Sequence, residues 1–386
     1  MGYGGKGARL ARPINLSGRP CVWQHPEGSM QLAALVEEGP ASSDVGDPLG
    51  AVRAVVADLI GSHDDEVILT SGGAESNNAA LKGLAAAALH HGRAGRIVLS
   101  AVEHPTVRHP ARGLARLGFE VVEVPVDRCA RVDEGRFIEA LDGPVSLAAL
   151  QWANDEIGAL QPVISIARHA AHRGIPLHVD ATAAAGWVPI DWRAVPAATM
   201  SLAGDRMGAP PGVGALVVRR GAAWLPLIEG GIEEDGRRAG GLHPALVTAL
   251  GLSVEAARSL LDGRAATARR RRDHLARGCQ ERISGVTVQT PADRSLPGHL
   301  HLRVHGAEGE ALLTDMACNG VLAASGSACV EGAGVPSAVL RACGFSPQEA
   351  MSCLLFRVSA HLTPAEVEMV VEVLARATRR LREMSP

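Results

Sequence analysis

The chain has 386 residues, 47% of them apolar, enough for one large and one smaller domain around a sizeable buried core. Its 38 Lys+Arg against 41 Asp+Glu give a formal net charge of −3, so no charge excess draws it to nucleic acid or an anionic membrane. Only Lys6 and Lys82 are lysines, leaving 36 of those 38 basic residues as arginine.

The first twenty residues are rich in Gly and Arg but lack the apolar stretch of a signal peptide, and no run approaches about 18 consecutive apolar residues. A cytoplasmic protein without a membrane span is the expectation. The seven cysteines are odd in number, scattered and free of CxxC spacing, so neither a disulfide framework nor a zinc site is suggested, and no metal is expected.

In chain order, short β-branched runs alternate with helical stretches from about Glu66 to Arg219, the pattern of a parallel sheet covered by helices. The strand candidates are Glu66–Leu69, Ile97–Ser100, Glu120–Val124, Ser146–Gln151, Leu177–Val179, Thr199–Leu202 and Gly214–Val218. The first connecting helix is predicted from near Glu75, entered through Ser71, Gly72 and Gly73. A helix entered through glycines leaves backbone N–H groups facing outward, a ready anion site.

Past Leu252 the pattern changes to a long Arg-rich helix (Val254 to Ile283), strands near Val286–Gln289 and His299–Val304, and a last helix capped by Thr363, Pro364 and Glu366. Arg269 to Arg272 read as a solvated helix face, with a docking patch for an acidic partner or RNA as the alternative. The predicted fold is α/β: a mostly parallel seven-stranded sheet between helices, plus a smaller α+β C-terminal domain. The expected divisions are an N-terminal segment (1–20), a large domain (21–255) and a small domain (256–386).

Six collinear segments carry a resemblance. They are Leu69-Thr-Ser-Gly-Gly-Ala-Glu-Ser-Asn-Asn78, Val102-Glu-His-Pro-Thr-Val107, Asn154-Asp-Glu-Ile-Gly158, His178-Val-Asp-Ala-Thr182, Gly230-Gly-Ile-Glu233 through Arg238-Ala-Gly240, and Ala324-Ser-Gly-Ser-Ala-Cys329. Together they resemble the cysteine desulfurases, class-V aminotransferase homologues of fold-type I that use pyridoxal phosphate (PLP), over roughly residues 45 to 375. The resemblance implies a homodimer in which PLP forms a Schiff base with a lysine, an aspartate holds the ring nitrogen, a histidine stacks on the ring and a loop cysteine takes sulfur as a persulfide. By position, Asp180 corresponds to the aspartate, His104 to the histidine, Asn154 to a polar residue near the ring hydroxyl, and Cys329 to the sulfur acceptor. Ser71, Gly72, Gly73 and Arg238 belong to the matched cofactor segments.

The same resemblance exposes departures. Where the family has Ser-x-His-Lys before a Gly-Pro turn, this chain reads Ser201-Leu-Ala-Gly-Asp-Arg206, so Asp205 and Arg206 replace the histidine and lysine. A guanidinium stays protonated and forms no Schiff base. Lys6 lies outside the matched region, and Lys82, about two turns into a helix, is expected to face solvent. The family's phosphate donors correspond to Ala74, Ala203, Asp205 and Gly241, none a neutral donor side chain. Ala183 replaces a glutamine and Leu355 the arginine that clamps the substrate carboxylate, with Arg357 two residues on as a candidate displaced clamp.

These readings lead to a desulfurase-like protein without PLP and without desulfurase activity, a scaffold, regulatory partner or persulfide relay through Cys329 in a sulfur-transfer or thio-modification pathway. Its expected partners are a second copy of itself and a sulfur-transfer protein or an active desulfurase. The alternatives are a cysteine desulfurase, with PLP bound covalently or non-covalently, that releases sulfur from L-cysteine as a persulfide on Cys329, and an active enzyme on this fold that uses the remaining groups with another ligand. For His104 and Asp180, a hydrogen-bonded structural role stands beside an acid–base one; Asp205 and Arg206 read as an ion pair filling the old pocket.

Overall fold

The computed structural model describes residues 13–17, 48–325 and 336–384. The chain divides into two compact units. One comprises Val22–Asp155 and Ala159–Gly263; the other comprises Met1–Cys21, Glu156–Gly158 and Arg264–Pro386.

In chain order, strand β1 (Ile14–Asn15) is followed by helix α1 (Pro48–Ile60), β2 (Val67–Thr70), α2 (Gly73–His90), β3 (Arg96–Ser100), α3 (Pro105–Leu114), β4 (Glu120–Val124) and α4 (Glu134–Ala140). Then come β5 (Val145–Gln151), α5 (Val163–His172), β6 (Leu177–Asp180), β7 (Thr199–Ala203), the single turn α6 (Gly204–Met207), β8 (Gly214–Val218) and the long α7 (Pro244–Arg282). The C-terminal part adds β9 (Val286–Val288), β10 (His299–Val304), α8 (Gly309–Cys318), β11 (Val321–Leu322), β12 (Ala324–Ser325), α9 (Ala338–Ala342), α10 (Pro347–Met351), β13 (Cys353–Arg357) and α11 (Pro364–Met384).

The larger unit is built on a seven-stranded sheet in the order β2-β8-β7-β6-β5-β3-β4. Only β8 runs against its neighbours, pairing antiparallel with both β2 and β7. Strands β2, β6 and β7 are buried at every residue. β2 is apolar nearly throughout, as a strand covered on both faces needs, whereas β6 and β7 bury the polar His178, Asp180, Thr199 and Ser201, which bond one another and Asn77. The sequence-predicted strands all form, with ends displaced by a residue at most. Glu66, predicted as strand, instead sits in a 3-10 turn, and its carboxylate accepts from the His63 N–H and Trp192 Nε1.

Helix α2 starts at Gly73, two residues before its predicted start. Gly72, with φ 141°, lies in a region closed to most side chains, and a Cβ on Gly214 would meet the Gly72 Cα at 2.7 Å. Two glycines therefore let β8 and the loop entering α2 touch backbone to backbone.

In the other unit, the sheet β12-β13-β10-β9 is antiparallel throughout. Leu300, Leu302, Val304, Leu354 and Phe356 share a core with Leu275 and Cys279 of α7, Leu312 and Met316 of α8, and Val367, Val370, Val371 and Leu374 of α11. Thr363 and Glu366 form the capping box that the sequence predicts, each side chain accepting from the other's backbone N–H.

Two expectations are corrected. Helix α7 begins at Pro244, ten residues before the predicted start, because proline suits a first turn and the Ala–Leu–Val run behind it continues the helix. The arginine run is a solvated face only in part: Arg270 is exposed, whereas Arg271 and Arg272 are taken into the fold. Arg272 is 4% exposed and bonds Asp273, Ser295 Oγ and the Leu296 carbonyl, while Arg271 donates to the Leu362 carbonyl. Helix α7 also contains a stretch long and apolar enough to meet a membrane span's length and composition, yet the helix carries an exposed Glu255–Arg258 ion pair.

Substituting Gly214→Ala drives a methyl into the Gly72 backbone. Denaturant unfolding should read a loss of about 1–3 kcal/mol, the usual result of overpacking.

Candidate functional site

The larger unit gathers its polar side chains at the C-terminal ends of β3, β6 and β7, beside the start of α2. Asp180, the last residue of β6, is 3% exposed. Its Oδ1 accepts from the Thr182 N–H at 3.0 Å and Thr182 Oγ1 at 2.6 Å, with Ser201 Oγ 3.3 Å away; its Oδ2 accepts from Asn77 Nδ2 at 2.8 Å. A carboxylate only accepts, so the amide nitrogen of Asn77 must face it. The Asn77 oxygen then takes Ser201 Oγ at 2.6 Å and His178 Nε2 at 3.0 Å.

That fixes His178 as the neutral Nε2–H tautomer, with Nδ1 accepting from Thr199 Oγ1 at 3.0 Å. Burial lowers its pKa to about 4, against the opposing pull of the Asp180 charge. The Asp180 carboxylate thus accepts from three donors, the Thr182 N–H, Thr182 Oγ1 and Asn77 Nδ2, while the single Ser201 hydroxyl proton goes to the nearer Asn77 oxygen.

His104 joins the same network at its edge. It is the N-cap of α3: its Nδ1 accepts from the Thr106 N–H at 3.2 Å and lies 2.7 Å from Thr106 Oγ1, which in turn receives Asn77 Nδ2 at 2.9 Å. The ring itself is exposed. Asn154 is 2% exposed and donates weakly to the Val102 carbonyl at 3.4 Å, while its N–H closes a tight loop onto the Ala159 carbonyl. Glu156, in the other unit, accepts from Ser337 Oγ at 2.6 Å.

Glu103, Asn77 and His178 were quoted within the sequence motifs without a role. Glu103 is 1% exposed; one oxygen accepts from the Gln151 N–H and the other has no partner. Burial pushes its pKa well above the usual glutamate value, the Gln151 N–H opposes this, the Asp180 charge adds to the rise, and the Arg108 charge opposes it. No periodicity marks a buried acid, so only the fold reveals it.

Arg206 follows β7 on the turn α6. Its guanidinium pairs with Asp155 at 2.9 Å, and Asp205 is 3.9 Å away. The expected pairing with Asp205 is present but long, and Asp155 is the nearer partner. All three side chains are about a third exposed, so the pair does not form the buried plug expected from the sequence. On the glycine loop, the Ser71 N–H is taken by Glu75 Oε2 at 2.9 Å, and Glu75 is held by Arg238 at 2.8 Å. Arg238 thus binds a carboxylate of its own chain; its pKa is raised chiefly by that hydrogen bond.

The fold's cofactor can be tested against these residues. The ring nitrogen of PLP would find a charged, oriented carboxylate in Asp180. Its aldehyde and phosphate would not find their anchors. Arg206 offers a guanidinium already paired to Asp155, and Lys82 is exposed on α2. Beside Gly73 stand the methyl groups of Thr182 and Ala203, 2.8 and 3.1 Å from where a Cβ would lie, and the Ser71 N–H is occupied by Glu75. The residues fit half the cofactor, and no chemical step is derived through it.

In the smaller unit, Leu355 is 3% exposed on β13 and Arg357 donates from Nη1 to the Ser17 carbonyl at 2.7 Å. Arg357 is thereby used in tying β13 to the segment after β1, a structural task where a substrate clamp was anticipated. Cys329 lies outside the described residues.

Residues 31–359 match the family model of the class-V aminotransferases. A cysteine desulfurase of Gluconacetobacter diazotrophicus is 38% identical over 346 residues, 89% of this chain and 86% of that protein. The cysteine desulfurase IscS of Dictyoglomus turgidum is 34% identical over 334 residues, 86% of this chain and 84% of its own. Among solved structures, a NifS-like protein superposes with a TM-score of 0.86 at 22% identity, covering 95% of this chain and all of that one, a likeness of fold. The DndA structure from Streptomyces lividans gives a TM-score of 0.75 at 31% identity over 86% of this chain and 95% of that one. The chain belongs to the class-V aminotransferase family and is a homologue of the cysteine desulfurases.

Because the folded state raises the Glu103 pKa, it holds that proton more tightly than the unfolded chain does. The penalty is absent below the ordinary glutamate range and grows as pH rises towards the folded value. Glu103→Gln, neutral at every pH, should have little effect on melting temperature in acid and raise it increasingly towards neutrality. A constant difference across pH would contradict a protonated Glu103.

Proposed function

We propose that this chain is a cysteine desulfurase homologue that has lost PLP-dependent release of sulfur, and that it serves a sulfur-transfer or thio-modification pathway as scaffold, regulatory partner or persulfide relay through Cys329. The observation that carries this reading is the Arg206–Asp155 pair where the resemblance calls for a Schiff-base lysine. A guanidinium is protonated at every physiological pH and forms no Schiff base. The neighbouring losses at Ala74, Ala203, Asp205 and Gly241 remove the phosphate donors as well. A homodimer fits the reading, with a sulfur-transfer protein or a lysine-bearing desulfurase as a further partner.

A second reading, a PLP-dependent cysteine desulfurase that forms a persulfide on Cys329, is favoured by a different observation. Relatives named cysteine desulfurase match 86–90% of the chain at 32–38% identity, and Asp180 retains its full hydrogen-bond set. The names favour catalysis; the side chains at β7 favour its loss.

Purified protein mixed with excess PLP decides between them. The first reading expects no visible absorbance band that survives gel filtration, and no sulfide from L-cysteine and a thiol reductant. A retained yellow band with turnover would establish the second. Arg206→Lys alone should leave turnover undetected, since the phosphate site is also lost.

A further inference from the structure

The turn that closes α8 carries the chain's one Asn-Gly pair: of five asparagines, only Asn319 is followed by glycine. Gly320 takes φ 78°, the left-handed position at a helix end that favours glycine. With no Cβ beside it, a glycine nitrogen is the least hindered of any in approaching the side-chain carbon of the asparagine before it.

In the folded chain that approach is blocked. Asn319 Nδ2 donates to the Asp315 carbonyl at 2.8 Å and to Asp315 Oδ1 at 3.0 Å, and Arg376 Nη2 of α11 donates to Asn319 Oδ1 at 2.7 Å. Gly320 spends its own N–H on the Ala317 carbonyl at 3.0 Å. Ring closure needs the Gly320 nitrogen to eclipse Asn319 Cβ, and ψ 15° at Asn319 holds it well off that line. The same turn anchors a strand. The Gly320 carbonyl accepts the Ile14 N–H at 2.8 Å, the Leu16 N–H donates to the Leu322 carbonyl at 2.6 Å, and β1 pairs with β11 over only two residues.

We propose that Asn319-Gly320 is a modification site at which deamidation converts Asn319 to aspartate or isoaspartate, that Asp315 and Arg376 gate the reaction, and that the product loosens β1. The Gly320 nitrogen gives up its proton and bonds to Asn319 Cγ, and the side-chain amide takes a proton and leaves as ammonia. Water then adds to either carbonyl of the ring, and the C–N bond there breaks to leave a carboxylate; nothing is oxidised or reduced. Isoaspartate runs the backbone through the former side chain, adding one atom just before the residue that holds Ile14. Aspartate loses the Nδ2 donor and sets a second carboxylate against Asp315. Neither PLP nor Cys329 enters this reaction.

The test uses the full chain. Peptide mass spectrometry follows residues 319 and 320 through incubation at physiological pH, with the urea-unfolded chain in parallel. The folded chain should deamidate more slowly by about tenfold or more, because ring closure waits on a local opening. Arg376→Ala, which removes the donor to Oδ1, should raise the folded rate several-fold; Asp315→Ala is the second variant if that protein does not fold. Hydrogen exchange reads β1: the Ile14 and Leu16 N–H groups should exchange faster in the deamidated fraction than in the unmodified one. Asn319→Gln, whose longer side chain does not close this ring, should keep their protection through the same incubation. The proposal is overturned if the folded chain deamidates as fast as the unfolded one, or if the folded variant keeps the parent's rate. It is equally overturned if deamidated chains protect the β1 N–H groups as unmodified chains do.

Discussion

The amide of Asn77 is the hinge of the larger unit's polar interior. Its nitrogen must face the Asp180 carboxylate, and its oxygen must therefore receive His178 and Ser201. That single orientation determines the tautomer of His178 and the rotamer of Ser201. It also links α2 to β6 and β7, so the glycine loop before α2 is held where the strands end. In a water-free interior such a network specifies one arrangement, since any half-satisfied alternative strands a buried donor or charge. At the next buried acid, Glu103, burial instead pushes the pKa well above the usual glutamate value.

The contrast across the site follows from this arrangement. The carboxylate side remains constructed in full, with every donor in place. At β7 the covalent anchor is absent, and Arg206 is turned to Asp155, a residue on the β5–α5 connection of the same unit. Lysine and arginine are alike in charge and unlike in chemistry: the ammonium can lose its proton and attack a carbonyl, and the guanidinium cannot. Under the proposed reading this one substitution removes the Schiff-base chemistry, while the Arg206–Asp155 pair keeps the local charges matched.

Much of this was legible in the sequence. The short β-branched and apolar runs marked the strands nearly residue for residue, even where β6 and β7 also bury polar residues. Thr363-Pro364-Ala365-Glu366 announced α11 through local chemistry alone. The early start of α7 was less visible, because Gly251 and the β-branched Val247 and Thr248 weaken the helical signal that packing restores. Arg206 was recognisable as a departure, but its partner was not: Asp155 lies 51 positions away, and only the fold brings it near. Arg271 and Arg272 were misread for the same reason, since a run of charges says nothing of carbonyls contributed by distant loops.

The central claim is that no residue of this chain bonds covalently to pyridoxal phosphate. Incubating the purified protein with excess cofactor, reducing with borohydride and weighing the intact chain tests it most directly. An unchanged mass, with a lysine-bearing desulfurase labelled in parallel, is the result that the Arg206–Asp155 pair predicts. A stoichiometric gain of one reduced pyridoxyl phosphate would contradict it, and peptide mapping of the modified residue would show which amine replaces the missing lysine.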